Sequence, residues 1–416
     1  MAHVLLVAPE APERRPFLRG LERLGARVTG LGEQRPEQLD TELRYLLADY
    51  EPVERLADEE ALCAAVQRVQ ARGPWVDRLE TLEEAHLEVT ARVRERCTIP
   101  GPGGDLVALT RDKFRLKRFL ADHAVSGAPS LDLGDGVPDA EAARAFAHQV
   151  GYPVVVKPRV GTGNIDSVRV VDDDTALRAA LDEPPPLVME RFVDGHEGFL
   201  DGLILDGRTV LQAVTHFYPS VRRALTDRSV SPIAVHSNRL SHDGYDDLRA
   251  LNQRVVSALG LDRRGTLTAT HLEWFHGRDG LWFSGLDLHP SPFGFWGLYG
   301  EAAQLDWHIE WARALCEGAV RTELAEHRAA GLVNLRPDRD GVVSHYEGIE
   351  RMQRAYGSHI FRLHLPPPST PTQPISAGYL ANAYVGVAHP DYDTLREILA
   401  DIGNTVRVVA SDGPAT

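Results

Sequence analysis

Apolar positions along the chain fall into short blocks whose periods change from one block to the next. Residues 3–7, His-Val-Leu-Leu-Val, form a continuous run of the kind that fills a buried strand. Over residues 15–24, Phe17, Leu18, Leu21 and Leu24 recur at helical spacing, and Gly25 ends the pattern. Residues 26–31 read as a second strand. Strand, helix and strand joined by short links predict a Rossmann-like opening. Ala8-Pro9-Glu10 stands where a dinucleotide-binding turn needs glycines, so the expectation is the fold without that site. Helices are expected over 59–72 and 82–96. The breaker run Thr98-Ile-Pro-Gly-Pro-Gly-Gly104 then marks a boundary, placing a first domain at 1–108.

A second segment, 109–190, opens with Thr110 as helix N-cap and Phe114, Leu116, Phe119 and Leu120 as an apolar face. It continues with a helix over 140–150 and a strand over 152–157 that ends on Lys157. A glycine turn follows, then a return strand over 167–171, a helix capped by Asp174, and a strand over 187–190. A third segment, 191–365, carries strands over 199–205, 209–217 and 267–275, with a helix over 246–259. The strand 281–288 makes a hairpin around His276-Gly-Arg-Asp-Gly280, and a long helix is expected over 305–328. Pro366 to Pro374 reads as a stiff linker. Beyond it a strand, helix and strand over 381–409 suggest a small αβ extension at 366–416. The fold class is α/β with α+β character.

Composition narrows the function classes. Of 416 residues, 43% are hydrophobic and 25% charged, which is ordinary globular usage. Lys plus Arg total 45 against 60 Asp plus Glu, a formal charge of −15. Such a chain repels a nucleic-acid backbone, but a locally basic pocket for one phosphate-bearing ligand is compatible with it. No apolar run approaches the roughly 18 residues of a membrane span, and Met1 to Pro9 is too short and uncharged for a signal peptide. Cys63, Cys97 and Cys316 are far apart and odd in number, giving neither a disulfide framework nor zinc spacing. Buried thiols in a reducing cytoplasm are the expectation.

Three groups of residues carry chemistry. Lys157 ends an apolar strand and is followed by Arg159-Val-Gly161-Thr162-Gly163-Asn164, a small-residue turn whose N–H groups can approach an anion. Glu190 and Glu197 flank Arg191-Phe192-Val193, where a strand-to-linker backbone can read a purine edge and a carboxylate can bind ribose hydroxyls. His271-Leu-Glu273 and Asp287-Leu-His289 fall on one face of a hairpin if it turns near Arg278. Two carboxylates there, beside a polyphosphate, suit magnesium. Each group alone also has an ordinary reading as a strand-end lysine, surface acids or a solvated sheet face.

In order, these groups resemble the ATP-grasp superfamily, and more narrowly its carboxylate–amine ligases. The resemblance rests on Asp112-Lys113, Val154-Val-Val-Lys157-Pro158, the glycine turn, Glu190 to Glu197, Gly202 to Gly207 and His271-x-Glu273. Ile99-Pro-Gly101, Gly260-Leu261 and Gly348-Ile-Glu350 support it. It implies an ATP-grasp fold behind a Rossmann-like pre-ATP-grasp domain, with ATP and magnesium as cofactors and manganese as a substitute. By that resemblance Lys113 and Lys157 contact phosphates, and Gly161, Thr162 and Gly163 cover them. The backbone of Arg191, Phe192 and Val193 reads adenine, Glu190 accepts from its amino group, and Glu197 binds ribose. Glu273 and Asp287 hold the metal.

Two departures from the family pattern stand out. Asp287-x-His289 replaces Glu-x-Asn, making His289 a third candidate ligand better suited to transition metals. Pro290-Ser291 stands where an arginine usually follows; Arg222, Arg223, Arg239 or Arg336 could supply that charge, and Arg336 joins Lys157 among the expected catalytic residues. The expected activity is ATP-dependent amide formation from small-molecule carboxylates and amines, amino acids or dipeptides, with homodimerisation compatible. A kinase-like relative, or an ATP-binding protein that has lost catalysis, are the alternatives.

Overall fold

The computed structural model describes residues 1–161, 167–291, 294–321, 328–375 and 382–412. The first domain is a parallel sheet of β1 (His3–Val7), β2 (Arg27–Gly32), β3 (Asp49–Pro52) and β4 (Arg78–Thr81), in the order β3-β2-β1-β4. Side chains alternate along β1. Val4 and Leu6 pack with Phe17, Leu18 and Leu21 of the helix Arg15–Arg23. Leu5 and Val7 pack with Leu62, Val66 and Val69 of the helix Glu59–Arg72. Both faces of the sheet are thus covered, as a parallel sheet requires. Cys63 and Cys97, distant in sequence, meet across the second layer with their Sγ atoms 3.6 Å apart, and both are free thiols.

The helix Gly104–Arg111 spans the expected boundary at 108. Thr110 lies inside it, its hydroxyl donating to Val107 O at 3.0 Å, so it is not an N-cap. That role belongs to Asp112, whose carboxylate accepts from Arg115 N–H at the start of the helix Lys113–Ala121. A small antiparallel sheet follows: β5 (Ser130–Asp132), β6 (Val154–Pro158), β7 (Arg169–Val171) and β8 (Leu187–Arg191), in the order β5-β8-β6-β7. The helices Ala140–Val150 and Asp174–Ala180 share its core. Asp173, not Asp174, caps the second of these.

The large sheet is built from β9 (Gly195–Leu205), β10 (Arg208–Tyr218), β11 (Ile233–His236), β12 (Leu267–Gly277), β13 (Gly280–Asp287) and β14 (Ala329–Leu335), continued by later strands. Of these, β15 (Val342–Glu347) leaves to pair with β18 (Arg407–Ser411), while β16 (Ile360–His364) and β17 (Ala383–His389) join the large sheet. Its order is β13-β12-β9-β10-β11-β14-β17-β16. Residues 366–416, read from sequence as a small extension, are therefore woven into the large lobe. The expected helix over 305–328 is instead Trp307–Glu317, ended by Gly318 at φ +65°, with a separate helix Phe295–Ala303 before it.

One face of this sheet packs against the helices Lys113–Ala121 and Asp246–Ala258. The other face packs against Phe295–Ala303 and Trp307–Glu317, where the first domain also docks. Phe17 and Trp311 stack with centroids 4.5 Å apart. A Cβ on Gly20 would lie 3.2 Å from His308 O, so the two helices meet backbone to backbone. Among the described residues no helix is long and apolar enough to cross a membrane.

Candidate active site

Between the small and large lobes lies a group of lysines, of which Lys117 is buried and Lys113 and Lys157 are half-buried. Lys157 lies next to the end of β6 and Glu190 lies in β8, and the two strands pair antiparallel. Glu190 is 5% exposed. Its Oε2 is 2.9 Å from Lys157 Nζ and its Oε1 is 2.5 Å from Lys117 Nζ. Burial opposes the charge on Glu190, but the two lysines overcome it and hold the carboxyl near about 2. Burial draws Lys117 down to about 8, against the pull of Glu190, which raises it. Lys113, one helical turn before Lys117, donates from Nζ to Gly161 O at 3.2 Å. Burial and the neighbouring Lys157 lower its pKa, while Asp287, Glu273 and Glu84 raise it.

The hairpin expected to carry the metal ligands is β12 and β13. His271 sits opposite Asp287, and Glu273 opposite Gly285, so His271, Glu273 and Asp287 share a face as expected. On that face β9 adds Asp201, fully buried and opposite His271. Asp201 Oδ1 is 2.7 Å from His271 Nδ1, and its Oδ2 accepts from Tyr299 O–H at 2.7 Å. Burial works against a charged His271, but Asp201, with Glu273 and Asp287, raises it to about 9. Glu273 is exposed and Asp287 half-buried, both open to a ligand. Their hard oxygens fit magnesium, with phosphate oxygens and water completing its shell. His289 does not complete a protein-only set: its Nε2 is 4.0 Å from Asp287 Oδ2. Among the described residues no three His, Cys, Asp or Glu side chains converge to hold an ion.

The residues expected to read the adenine lie at the end of β8 and in the linker to β9. Arg191 N–H is occupied by Pro129 O at 2.9 Å, its guanidinium lies 4.8 Å over Trp282 and it pairs with Asp279. Phe192 lies under the Arg222 guanidinium at 5.2 Å, and Val193 packs against Gly277. Glu197 accepts from Val221 N–H at 2.5 Å; burial pushes its carboxyl up to about 7. Thr162 and Gly163 lie outside the described residues.

Each of the four arginines considered as replacements has partners among the described residues. Arg222 faces Phe192 and Asp172, Arg223 faces Asp227, and Arg239 pairs with Asp391 and Asp393. Arg336, expected among the catalytic residues, follows β14, four strands from β12, and donates to Ala224 O on the helix Val221–Thr226, whose Val221 N–H bonds Glu197. His216, considered for an acceptor pocket, is buried on the opposite sheet face, bonded to His196 and Tyr245. Sequence reasoning missed Lys117 and Asp201. Lys117 had a signal, its position four residues after Lys113 on one helix face. Asp201 interrupts an apolar strand, itself a signal for a buried polar role.

No family model matches the chain. Among curated proteins it is 29% identical over 125 residues to a D-alanine–D-alanine ligase of Gloeobacter violaceus, covering 28% of this chain and 41% of that protein. The chain spans 10–41% of the length of the curated relatives it matches. Among solved structures it superposes on an L-amino acid ligase from Bacillus licheniformis with a TM-score of 0.77, 17% identity and 99% of each chain covered. It also superposes on the biotin carboxylase domain of 2-oxoglutarate carboxylase from Hydrogenobacter thermophilus, solved with MgADP and bicarbonate. There the TM-score is 0.63 at 16% identity, over 97% of this chain and 90% of that one. The fold over nearly the whole chain is the ATP-grasp fold, with an N-terminal Rossmann-like domain.

Proposed function

We propose that the chain is an ATP-dependent carboxylate–amine ligase that releases ADP and phosphate while forming an amide. The observation that carries this reading is the grouping of Lys113, Lys117 and Lys157, two of them sharing the one carboxylate of Glu190, set against the carboxylate pair Glu273 and Asp287. Buried charge needs a partner, and a nucleotide triphosphate with its magnesium satisfies both sides. In this reading Lys113 and Lys157 neutralise the phosphates; Glu190, expected to accept from the adenine amino group, is buried with one oxygen on Lys117 and the other on Lys157, and fixes Lys157 instead. Phe192 and Val193 offer backbone to the adenine, and Glu197 takes the ribose hydroxyls. Glu273 and Asp287 hold magnesium, which when bound supplies positive charge between the phosphates.

The chemistry follows from placement. A substrate carboxylate oxygen attacks the γ-phosphorus, giving an acyl phosphate and ADP; an amine nitrogen then attacks the acyl carbon and phosphate leaves. No protein nucleophile is required, so positioning and charge neutralisation carry the rate. His271, paired with Asp201, lies on the same sheet face as the hairpin carboxylates and opposite Asp287. The likeness to amino-acid ligases supports amino acids as substrates, and a cytoplasmic setting suits ATP. The decisive experiment screens L-amino acids pairwise with ATP for phosphate release. Release that needs both a carboxylate and an amine supports the ligase; release with a carboxylate alone makes the protein a kinase-like relative.

A further inference from the structure

The second layer of the first domain holds two thiols that the proposed chemistry does not use. Cys63 lies within the helix Glu59–Arg72 and is 2% exposed. Cys97 follows the helix Leu87–Arg96 and is half-buried. Their Sγ atoms are 3.6 Å apart, although the residues stand 34 positions apart in the chain. Packed elements hold both residues there. Cys97 N–H donates to Val93 O at 2.9 Å, and Gln70 Nε2, on the helix that carries Cys63, donates to Cys97 O at 3.3 Å. Leu62, Val66 and Val69 share a core with Val93 and Ile99, on either side of Cys97. The Arg96 guanidinium, next in the chain, is taken up by Glu59 and Glu60.

Two thiols held this closely can share a metal or join to each other. A structural metal needs further ligands, and among the described residues no third His, Cys, Asp or Glu converges with them. A disulfide needs only that the side chains close the gap to an S–S bond of about 2.05 Å. Cys97 is the accessible partner. Its thiolate attacks a small disulfide such as oxidised glutathione, releasing one thiol and leaving a mixed disulfide on Cys97. The Cys63 sulfur then attacks the Cys97 sulfur, the bond to glutathione breaks, and the second thiol leaves. Two protein thiols are oxidised, one small disulfide is reduced, and the two protein protons pass to its thiols. Burial and the bond to Cys63 push the Cys97 thiol up to about 12, so this exchange is slow at neutral pH. The helix that precedes Cys97 faces two cores. Leu87 and Ala91 share one with Leu116 and Leu120 of the helix that carries Lys113 and Lys117, while Val93 belongs to the first domain.

We infer that Cys63 and Cys97 are a disulfide-forming pair, which under oxidising conditions ties the helix Leu87–Arg96 to the helix Glu59–Arg72. The test uses the full chain with Cys316→Ser, so that this pair alone can react, held with oxidised glutathione until its thiol content is constant. The expected product has no free thiol and is lighter by about 2 Da, the two hydrogens lost. Its protease digest contains one cross-linked fragment joining residues 63 and 97, and a reductant restores both thiols. Amide hydrogen exchange over residues 59–72 and 87–97 should slow at least ~10-fold on oxidation, because the linked helices no longer part. A glutathione that stays on Cys97 overturns the inference, because Cys63 then cannot reach it. Two thiols that never react overturn it as well, and so does unchanged exchange in both helices. If Cys316→Ser does not fold, the parent chain decides by the same cross-linked fragment and the same exchange windows.

Discussion

Lys117 is buried and pairs with Glu190, which also pairs with Lys157. Removing it leaves a buried carboxylate with one lysine instead of two. Lys117→Met should cost about 3–5 kcal/mol, the penalty for breaking a buried ion pair from one side, read as a lowered denaturant midpoint. It should also weaken ATP binding in calorimetry, because Glu190 then draws on Lys157 alone. His271 makes a pH prediction. Its folded pKa of about 9 lies above the ordinary value of 6.5, because Asp201 outweighs burial. The folded state therefore keeps a proton that the unfolded chain loses. The contribution is complete below pH 6.5 and disappears as pH rises through 9. Thermal melts across pH 6 to 10 should show that decline in the parent, and Asp201→Asn should flatten it.

At the scale of elements the hairpin is the working part. Glu273→Ala and Asp287→Ala should each lower turnover by at least ~10²-fold, the scale of one lost preorganised electrostatic contact. Gly285 offers a subtler test. A Cβ there would lie 3.1 Å from Glu273 Oε2. Because that carboxylate is exposed and can swing away, Gly285→Ala should leave the melting temperature nearly unchanged while turnover falls. Equal losses in both would mean that the hairpin itself was disturbed. This hairpin was legible in the sequence because a period of two and a glycine-bounded turn fix which residues share a face. The helices 59–72 and 140–150 were legible for the same reason, a sustained period with clear ends. β3 and β4 were not: Asp-Tyr-Glu-Pro and Arg-Leu-Glu-Thr are four residues each, charged, and strands only because β1 and β2 template them. The contact of Arg336 with the helix Val221–Thr226 was not legible either, since it depends on which elements tertiary packing brings together.

For the molecule as a whole, nucleotide binding should appear as stability. ATP with magnesium at 100 times its Kd should add about 2.7 kcal/mol and raise the melting temperature accordingly. Lys157→Ala should abolish that rise; a full rise in the variant would mean that ATP binds elsewhere.

The position of β17 also sets an order of events during synthesis. It sits between β14 and β16 in the large sheet, although it is made after both. While the ribosome is still translating, the outer edge of β14 waits without a neighbour, and β16 has nothing to pair with. At ~5–20 residues per second, that interval is on the order of several seconds. An open edge of buried aliphatic residues is a template for wrong partners. A nascent chain arrested after residue 366 should be cut by protease within the large lobe and be retained by chaperones. One released at full length should resist both.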